Sequence, residues 1–419
     1  GSRPVFNKMS NAEFLAVSRR LMSVITLRKY RLDKIQEWNR FKECYLSKTG
    51  LDLIAKYEKD KIYFNSEEVK RWIASRPDQV KIENELMAIL SEGFEVNPIN
   101  AAKVHVKLES LLKDDYSSVG NREIEHRIIV WQRKGWCSIF SPIFLQAKAR
   151  LKVCLDDKVI YADGLTPEEL SSRANLIGGD NWFFEDDLSK QDRQTDEQLI
   201  ECEMEIYRKL GVHEDVIQLW QITHKDWRFK GTYVSGSLNA MRLTGQATTA
   251  IGNVIVNLLV HSRLFKLHKK DIKLMMVLGD DNLIISGRKI DSSKQNQISK
   301  EYYNMVSKAN HSKDQGTFLQ LLCYQNDQDV LEFGPDVIRL ALRYEVTNGV
   351  SEADEGNLLA RTMSYCMLLG PTKGVTRVIN KHKLPIEPQP YCNIARARQA
   401  CALKRNKTLG EVESTEAYL

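Results

Sequence analysis

Apolar and polar positions along this chain change period several times, and each change marks an element. From Leu274 to Ile285, the apolar runs Leu274-Met275-Met276-Val277-Leu278 and Leu283-Ile284-Ile285 flank Gly279-Asp280-Asp281-Asn282. Runs this short around a turn predict a tight β-hairpin with buried strands. Upstream, Trp182-Phe183-Phe184 predicts a strand ending in Glu185-Asp186-Asp187, with Asp192 five positions after Asp187. A helix follows. Leu199, Ile206 and Leu210 mark its apolar face, Thr195 with Gln198 reads as a capping box, and Gly211 supplies the left-handed stop. From Thr244 to Val260 a small, Gly-containing loop runs into a helix that is apolar nearly all round, hence buried. Thr249, Asn253 and Asn257 stand at i, i+4 and i+8 and form one polar stripe on it.

Residues 1–95 read as mainly helical and charged, and Ile128-Ile129-Val130-Trp131 as a β-like run. Thr166-Pro167-Glu168-Glu169 predicts a helix start, with Pro at the first turn and Glu169 closing the box. Glu301 to Asn310 reads as a helix carrying Lys308, followed by Lys313; residues 318–333 read as short strands and the remainder as a helical lobe. The longest apolar run, in the helix after Thr249, is broken by Asn253 and Asn257, so no transmembrane segment is expected.

Length and composition narrow the class. A chain of 419 residues, 42% hydrophobic and 28% charged, buries a large core and divides into more than one lobe. The net charge of +6 is mild, so partners are sought in local patches. Eight cysteines without a C-x-x-C pair or a secretory signal point to reduced thiols in a cytosolic setting and away from structural zinc. The initial Gly-Ser reads as an expression scar, which makes the chain an expected fragment of a larger polyprotein. No phosphate-binding G-x-x-x-x-G-K-[ST] loop is present, so no helicase module is expected within it.

Candidate chemistry gathers on the apolar elements. Two adjacent acids on a buried hairpin repel each other and lose solvation, so a divalent cation would keep them ionised. Asp186, Asp187 and Asp192 sit between a strand and a helix, a common place for functional groups; they could equally solvate a loop or favour a helix N-terminus. Buried amides need partners: Asn257 reads as part of an internal network, Thr249 and Asn253 as ligand-facing or internal. Lys107, Arg122, Arg127, Arg133 and Lys134 surround the β-like run at 128–131. Arg28-Lys29-Tyr30-Arg31 and Lys70-Arg71-Trp72 could grip nucleic acid or form a solvated face. Between Lys373 and Lys407, nine Lys or Arg stand against one acid, Glu387, a bias that suits a phosphate backbone or a solvated surface.

In order, these elements spell D-x4-D, then [S/T]-G-x3-T-x3-N, then G-D-D. The succession resembles palm motifs A, B and C of viral RNA-dependent RNA polymerases. Phe140-Ser141-Pro142-Ile143-Phe144, Leu165-Thr166-Pro167-Glu168-Glu169-Leu170, Asp187-Leu188-Ser189-Lys190 and Thr248-Thr249-Ala250-Ile251-Gly252-Asn253 are similar to the alphavirus-like superfamily. Within it, tobamovirus-, closterovirus- and endornavirus-type replicases are nearest. The likeness runs from about Lys107 to Phe318. It departs at Gln191, where an aromatic is common, at Thr244, where Ser is usual, and at Phe318-Leu319-Gln320, where many relatives carry Phe-Cys-Gly.

The resemblance implies an α+β right-hand polymerase with fingers, an RRM-like palm and a helical thumb. Its expected divisions are 1–180 for the fingers, 181–335 for a palm with motifs A–D and a finger insertion at about 212–243, and 336–419 for the thumb. It implies template-directed transfer from NTPs to an RNA 3′-hydroxyl. Asp187, Asp280 and Asp281 would be metal ligands, Mg²⁺ the ion (Mn²⁺ substituting), and Lys308 the general acid, or Lys313 if the register slips. Asp192, Thr244, Gly245, Thr249 and Asn253 would meet the NTP, with Lys107, Arg133 and Lys134 on its triphosphate. Implied partners are RNA template and product and other replicase domains for capping and helicase action, in the host cytoplasm within a membrane-associated replication complex. Two other readings share features: a reverse transcriptase, which has no use for a polar pair recognising a ribose 2′-hydroxyl, and a non-catalytic RNA-binding protein on the same scaffold, which has no use for intact metal carboxylates.

Overall fold

The computed structural model describes residues 26–93, 98–106, 128–189, 191–224, 226–232, 235–243, 246–313, 315–337, 339–340, 363–366, 368–370, 373–387 and 392–409, with the single residues 13, 16, 17 and 360. Four helices come first: α1 (Lys34–Tyr45), α2 (Lys48–Tyr57), α3 (Ser66–Ala74) and α4 (Gln79–Glu92). Strands β1 (Ala101–Val106) and β2 (Ile128–Gln132), helix α5 (Lys134–Cys154), strand β3 (Val159–Tyr161) and helix α6 (Pro167–Ala174) follow. Then come β4 (Trp182–Glu185), β5 (Leu188–Ser189), α7 (Gln191–Gln194), α8 (Glu197–Lys209) and α9 (Glu214–Thr223). After these lie β6 (Asp226–Lys230), β7 (Ser235–Asn239), α10 (Thr249–His268), β8 (Ile272–Leu278), β9 (Asp281–Ser286) and α11 (Ser292–Tyr303). The chain continues through β10 (Val306–Ser307), β11 (Asn310–Ser312), β12 (Gly316–Phe318), β13 (Leu321–Gln325) and β14 (Leu331–Pro335) to α12 (Lys373–His382) and α13 (Ile394–Leu409).

A five-stranded sheet of order β11-β4-β9-β8-β3 organises the centre. Both its faces are covered, which is why its strands read as apolar runs and not as alternating ones. Phe184, Met275, Val277 and Ile284 face a cluster built with α10, α8 and α5, whereas Phe183, Leu274, Met276, Leu283 and Ile285 face one built with α6 and the β12-β13-β14 sheet. Neighbouring residues thus enter opposite cores, as a period of two requires. Helix α10 is buried on nearly every side. Among the described helices it is long and apolar enough to cross a bilayer, yet 72% of its apolar window lies inside the protein.

Local signals behave as the sequence dictates in several places. Thr166 Oγ1 caps α6 by accepting from the Glu169 amide, behind Pro167 at the first turn. Gly211 adopts φ +90°, where a Cβ would run into Arg150 and the Tyr57 carbonyl. The capping box at Thr195 does not form. Asp196, one residue later, caps α8 through the Leu199 amide, and its carboxylate also takes the Arg28 guanidinium. Thr195 Oγ1 donates instead to the Gln191 carbonyl, and Gln198 accepts from the Leu32 amide. A carboxylate fixed by an ion pair outcompetes a neutral hydroxyl for the orphan helix amides. Arg28 is therefore a clamp between the N-terminal region and the centre.

A second sheet, β2-β1-β6-β7, joins the β-like run at 128–132 to the segment after α9, with β1 parallel to β6. Residues 316–335 form the expected short strands. In the β12–β13 turn, Leu319 and Gln320 both have positive φ, the geometry of a two-residue hairpin turn usually given to Asn-Gly. All eight cysteines are free and buried.

Candidate active site

The two acid-bearing elements meet edge to edge in the central sheet. β8 and β9 pair antiparallel with Leu278 opposite Asp281, leaving Gly279-Asp280 as the turn, with Gly279 at φ +57°. β4 pairs with β9, Glu185 opposite Leu283, so the residues after β4 emerge beside that turn. Along this segment Phe184, Asp186 and Leu188 are buried while Asp187 is exposed. Alternation alone sends the two neighbouring aspartates to opposite sides of the chain.

Asp187, Asp280 and Asp281 interact electrostatically. Loss of solvation, followed by repulsion from Asp280, raises the Asp187 carboxyl above its usual range, and Lys308 counteracts the rise. Asp281 keeps part of its surface open to solvent, yet the cleft around it removes enough water to push its carboxyl up to about 6, with further repulsion from Asp280 and Asp187. Acids that raise one another's proton affinity are a donor set suited to a divalent cation, which would remove both penalties. Among the described residues, no three His, Cys, Asp or Glu form a ready-made metal cluster. A cation here would take further oxygens from water or phosphate, as Mg²⁺ commonly does.

Lys308 is not on a helix, contrary to the sequence expectation. α11 ends at Tyr303, where Asn304 takes a left-handed φ of 53° and stops the helix. Val306 and Ser307 then pair with β5, and the Lys308 amide donates to the Asp187 carbonyl at 3.0 Å. The turn away from helix is what brings this lysine to Asp187. Lys313 lies elsewhere, with its ammonium over the Trp182 ring at 5.9 Å.

The polar stripe of α10 divides its work. Asn257 Nδ2 donates to the carbonyls of Gly279 (3.2 Å) and Asp281 (3.0 Å), holding the acidic turn from beneath as an internal network would. Thr249 Oγ1 donates to the Leu243 carbonyl and accepts from the Gln246 amide, pinning the loop before the helix. Asn253 Oδ1, like Asn257 Oδ1, is buried with no hydrogen-bond partner among the described residues. The Asn253 carbonyl accepts from Gln191 Nε2 at 2.9 Å, so the residue that replaces an aromatic ties the helix to the Asp187 segment. Asp192 lies in α7, its carbonyl taking the Arg242 amide at 3.0 Å.

Several residues of the site carry no short-range signal. Arg242 is buried with Glu203 as an ion pair; its Nη1 also reaches Thr248 Oγ1 at 3.3 Å, and Tyr207 donates to Glu203. His224 donates from Nδ1 to the Trp220 carbonyl, leaving Nε2 to accept from Gln246 Nε2, while Gln246 Oε1 takes the Leu243 amide. Burial drives His224 down to about 4, in keeping with a neutral ring.

On the basic side, Arg133 precedes α5 and Lys134 opens it. Lys134 is paired with Asp78 and, with Trp72, Arg76, Gln246 and Ala247, lines a cavity beside the loop that leads into α10. Lys107, Arg122, Arg127, Lys190, Thr244 and Gly245 lie outside the described residues.

Known proteins resemble this chain in sequence. The chain is 28% identical over 255 residues to a replicase polyprotein 1ab of Beet yellows virus, covering 58% of the chain and 8% of that protein. It is 32% identical over 146 residues to the RNA-directed RNA polymerase 2a of Alfalfa mosaic virus, with 34% of the chain and 18% of that protein covered. Against the replicase large subunit of Tobamovirus Ob the identity is 24% over 184 residues, 42% of the chain and 11% of that protein. The chain thus spans less than a fifth of the length of each of these relatives. The family model described as RNA dependent RNA polymerase matches residues 3–319, beginning well upstream of Lys107. The chain belongs to that RNA-dependent RNA polymerase family.

Proposed function

We propose that this chain is the catalytic part of a viral replicase, joining NTPs to an RNA 3′-hydroxyl under direction of an RNA template. The observation that carries the reading is the meeting of three mutually repelling carboxylates, Asp187, Asp280 and Asp281, with the Lys308 ammonium offsetting the repulsion at Asp187 and Arg339 that at Asp281. Asp187 and Asp280 would hold two divalent cations, Mg²⁺ by preference with Mn²⁺ able to replace it, and Asp281 would assist or place the primer end. The bound ions would supply acidity to the 3′-hydroxyl and charge to the leaving pyrophosphate. Lys308 attracts the triphosphate and delivers a proton as charge develops on the leaving group. Asn253 offers Oδ1 to the ribose 2′-hydroxyl, a donor that would satisfy its orphaned acceptor, and Asp192 and the Thr244-Gly245 loop are assigned to the same nucleotide. Arg133 and Lys107 are assigned to the triphosphate; Lys134 would need to leave Asp78 to join them.

In this reading the β2-β1-β6-β7 sheet with the N-terminal helices forms the fingers, the five-stranded sheet with α10 and α11 the palm, and residues from about 336 the thumb. RNA template and product, and the capping and helicase domains of a replicase in a membrane-associated cytoplasmic complex, are its partners.

Primer extension on a homopolymer template, with NTP or dNTP and with or without Mg²⁺, tests the reading. Wild-type protein should extend with NTP and Mg²⁺ only, and Asp280→Asn should fold and bind RNA yet incorporate almost nothing. Extension with dNTP would indicate a reverse transcriptase. Extension at the wild-type rate by folded Asp280→Asn would remove the catalytic assignment.

A further inference from the structure

We infer that Asp186, His261 and Ser307 are positioning residues that set Asp187 and Lys308 from beneath; the inference rests on the polymerase reading above. Asp186 is the inward-facing neighbour of Asp187, and its side chain is wholly buried. Its Oδ2 is hydrogen-bonded to His261 Nε2 at 2.7 Å and accepts from Ser307 Oγ at 2.7 Å, and its carbonyl accepts from Asn282 Nδ2 at 2.9 Å. Ser307 is in turn the inward neighbour of Lys308 and is hydrogen-bonded to Ser299 on α11. The outward carboxylate and the outward ammonium are therefore joined twice: by the Lys308 amide to the Asp187 carbonyl, and by the side chains of the residue preceding each.

His261 carries the connection onward. Its Nδ1 donates to the Asn257 carbonyl at 2.7 Å, and Asn257 holds the carbonyls of Gly279 and Asp281. His261 is also the next member of the stripe, four residues after Asn257. One face of α10 thus carries Thr249 on the loop, Asn253 toward the substrate, Asn257 under the acidic turn and His261 under Asp187. Asp281 is thus touched directly by this hydrogen-bonded chain, and Asp187 and Lys308 each follow one of its members.

Stability alone does not account for the arrangement. A buried ionisable pair can often be replaced by apolar residues of similar volume at no loss. Asp186 Oδ1 moreover has no hydrogen-bond partner among the described residues, a cost that pure packing would avoid. What the network supplies is register between β5, β10, β9 and α10, and reaction rates are sensitive to displacements near 1 Å.

The test compares Asp186→Leu, Asp186→Asn, His261→Phe and Ser307→Ala in single-turnover nucleotide addition with Mg²⁺. Asp186→Leu and His261→Phe should slow the chemical step about 10- to 100-fold, while the apparent NTP affinity and RNA affinity stay within about twofold. Asp186→Asn should recover much of the rate, because its amide can donate to both His261 Nε2 and Ser307 Oγ. Ser307→Ala, which cuts only the link to β10, should slow chemistry with little change in melting temperature, and it decides the matter if Asp186→Leu fails to fold. Adding Asp186→Leu to Lys308→Leu should cost less than it does in wild type, since both act on one step. Wild-type rates in folded Asp186→Leu and Ser307→Ala, or equal losses in Asp186→Asn and Asp186→Leu, would overturn the inference. A fully active Asp280→Asn would instead overturn the polymerase reading beneath it.

Discussion

Replacing Gly252 with Ala should destabilise the protein, although it removes a glycine from the middle of a helix. In open space that change stabilises by about 1 kcal/mol, because Ala loses less backbone entropy. Here a Cβ would stand 2.2 Å from Arg242 Nη1 and 2.5 Å from Cζ, where ordinary contact begins at 3.4 Å. The guanidinium would have to retreat by about 1.2 Å. It cannot do so freely, since Arg242 and Glu203 are paired with side chains 1% exposed and Nη1 also reaches Thr248. Overpacking of this kind costs about 1–3 kcal/mol, and complete rupture of a buried pair about 3–5 kcal/mol. Set against the gain of about 1 kcal/mol in helix propensity, the expected net loss is about 0–2 kcal/mol if the pair only shifts and about 2–4 kcal/mol if it breaks. The sign of the shift in the thermal midpoint suffices as a readout, which matters for a chain too long to assume a single two-state transition. A second background makes the test specific. With Arg242→Met and Glu203→Met together, the obstruction is gone, and Gly252→Ala should raise the midpoint there. If Gly252→Ala raises the midpoint in the wild-type background as well, the close approach of Arg242 to α10 is wrong.

Two further outcomes follow from the site. Asn253→Ala should reduce the preference for NTP over dNTP more than it reduces RNA affinity, because an acceptor buried for a hydroxyl penalises the sugar that lacks one; competition between ATP and dATP measures it, and an unchanged ratio would assign Asn253 to the core. Mn²⁺ affinity, followed by titration at pH 5, 6 and 7, should weaken as pH falls through about 6, where the cation must displace the proton that Asp281 retains. Because the carboxyl is raised in the folded state, its contribution to cation-free stability is present at acid pH and lost as pH rises through about 6, so added cation should stabilise most at neutral pH. Asp281→Asn should flatten the pH dependence of binding.

How much of this was legible in the sequence depended on the range of the interaction. The hairpin at Gly279-Asp280, the strand before Asp187, helix α10, the Thr166 cap and the Gly211 stop all rest on residues within one or two turns of each other, and they read correctly. Lys308 was expected on a helix and lies beyond its end. Polarity over 301–310 is compatible with a helix, and only Asn304 in a left-handed conformation, with Val306 and Ser307 pairing to a strand more than a hundred residues away, redirects the chain. Thr195 lost the cap to Asp196 because Arg28, still farther away in sequence, fixes that carboxylate. The Arg242–Glu203 pair, 39 positions apart, leaves no local trace except a glycine at 252 in an otherwise bulky helix.

Asp186 and His261 form a separate case, because both were within reach of periodicity already in use. Alternation along Phe184, Asp186 and Leu188 puts Asp186 on the core side, and the four-residue stripe that joins Thr249, Asn253 and Asn257 arrives next at His261. Taken singly, a buried aspartate opposes the rule that charges stay outside, and a histidine in an apolar helix reads as filler. Taken together they are each other's partner, at 2.7 Å. A periodic pattern becomes informative about chemistry when two elements with different periods deliver complementary groups to one side of the same core. Here a strand of period two supplies the acid and a helix of period 3.6 the base. The same strand delivers Asp187 to the open side, and the same helix stripe carries Asn253 about two turns before His261. The inward and outward sets are therefore locked to one another by backbone geometry, so a displacement of Asp186 against His261 has to displace Asp187 against Asn253 as well.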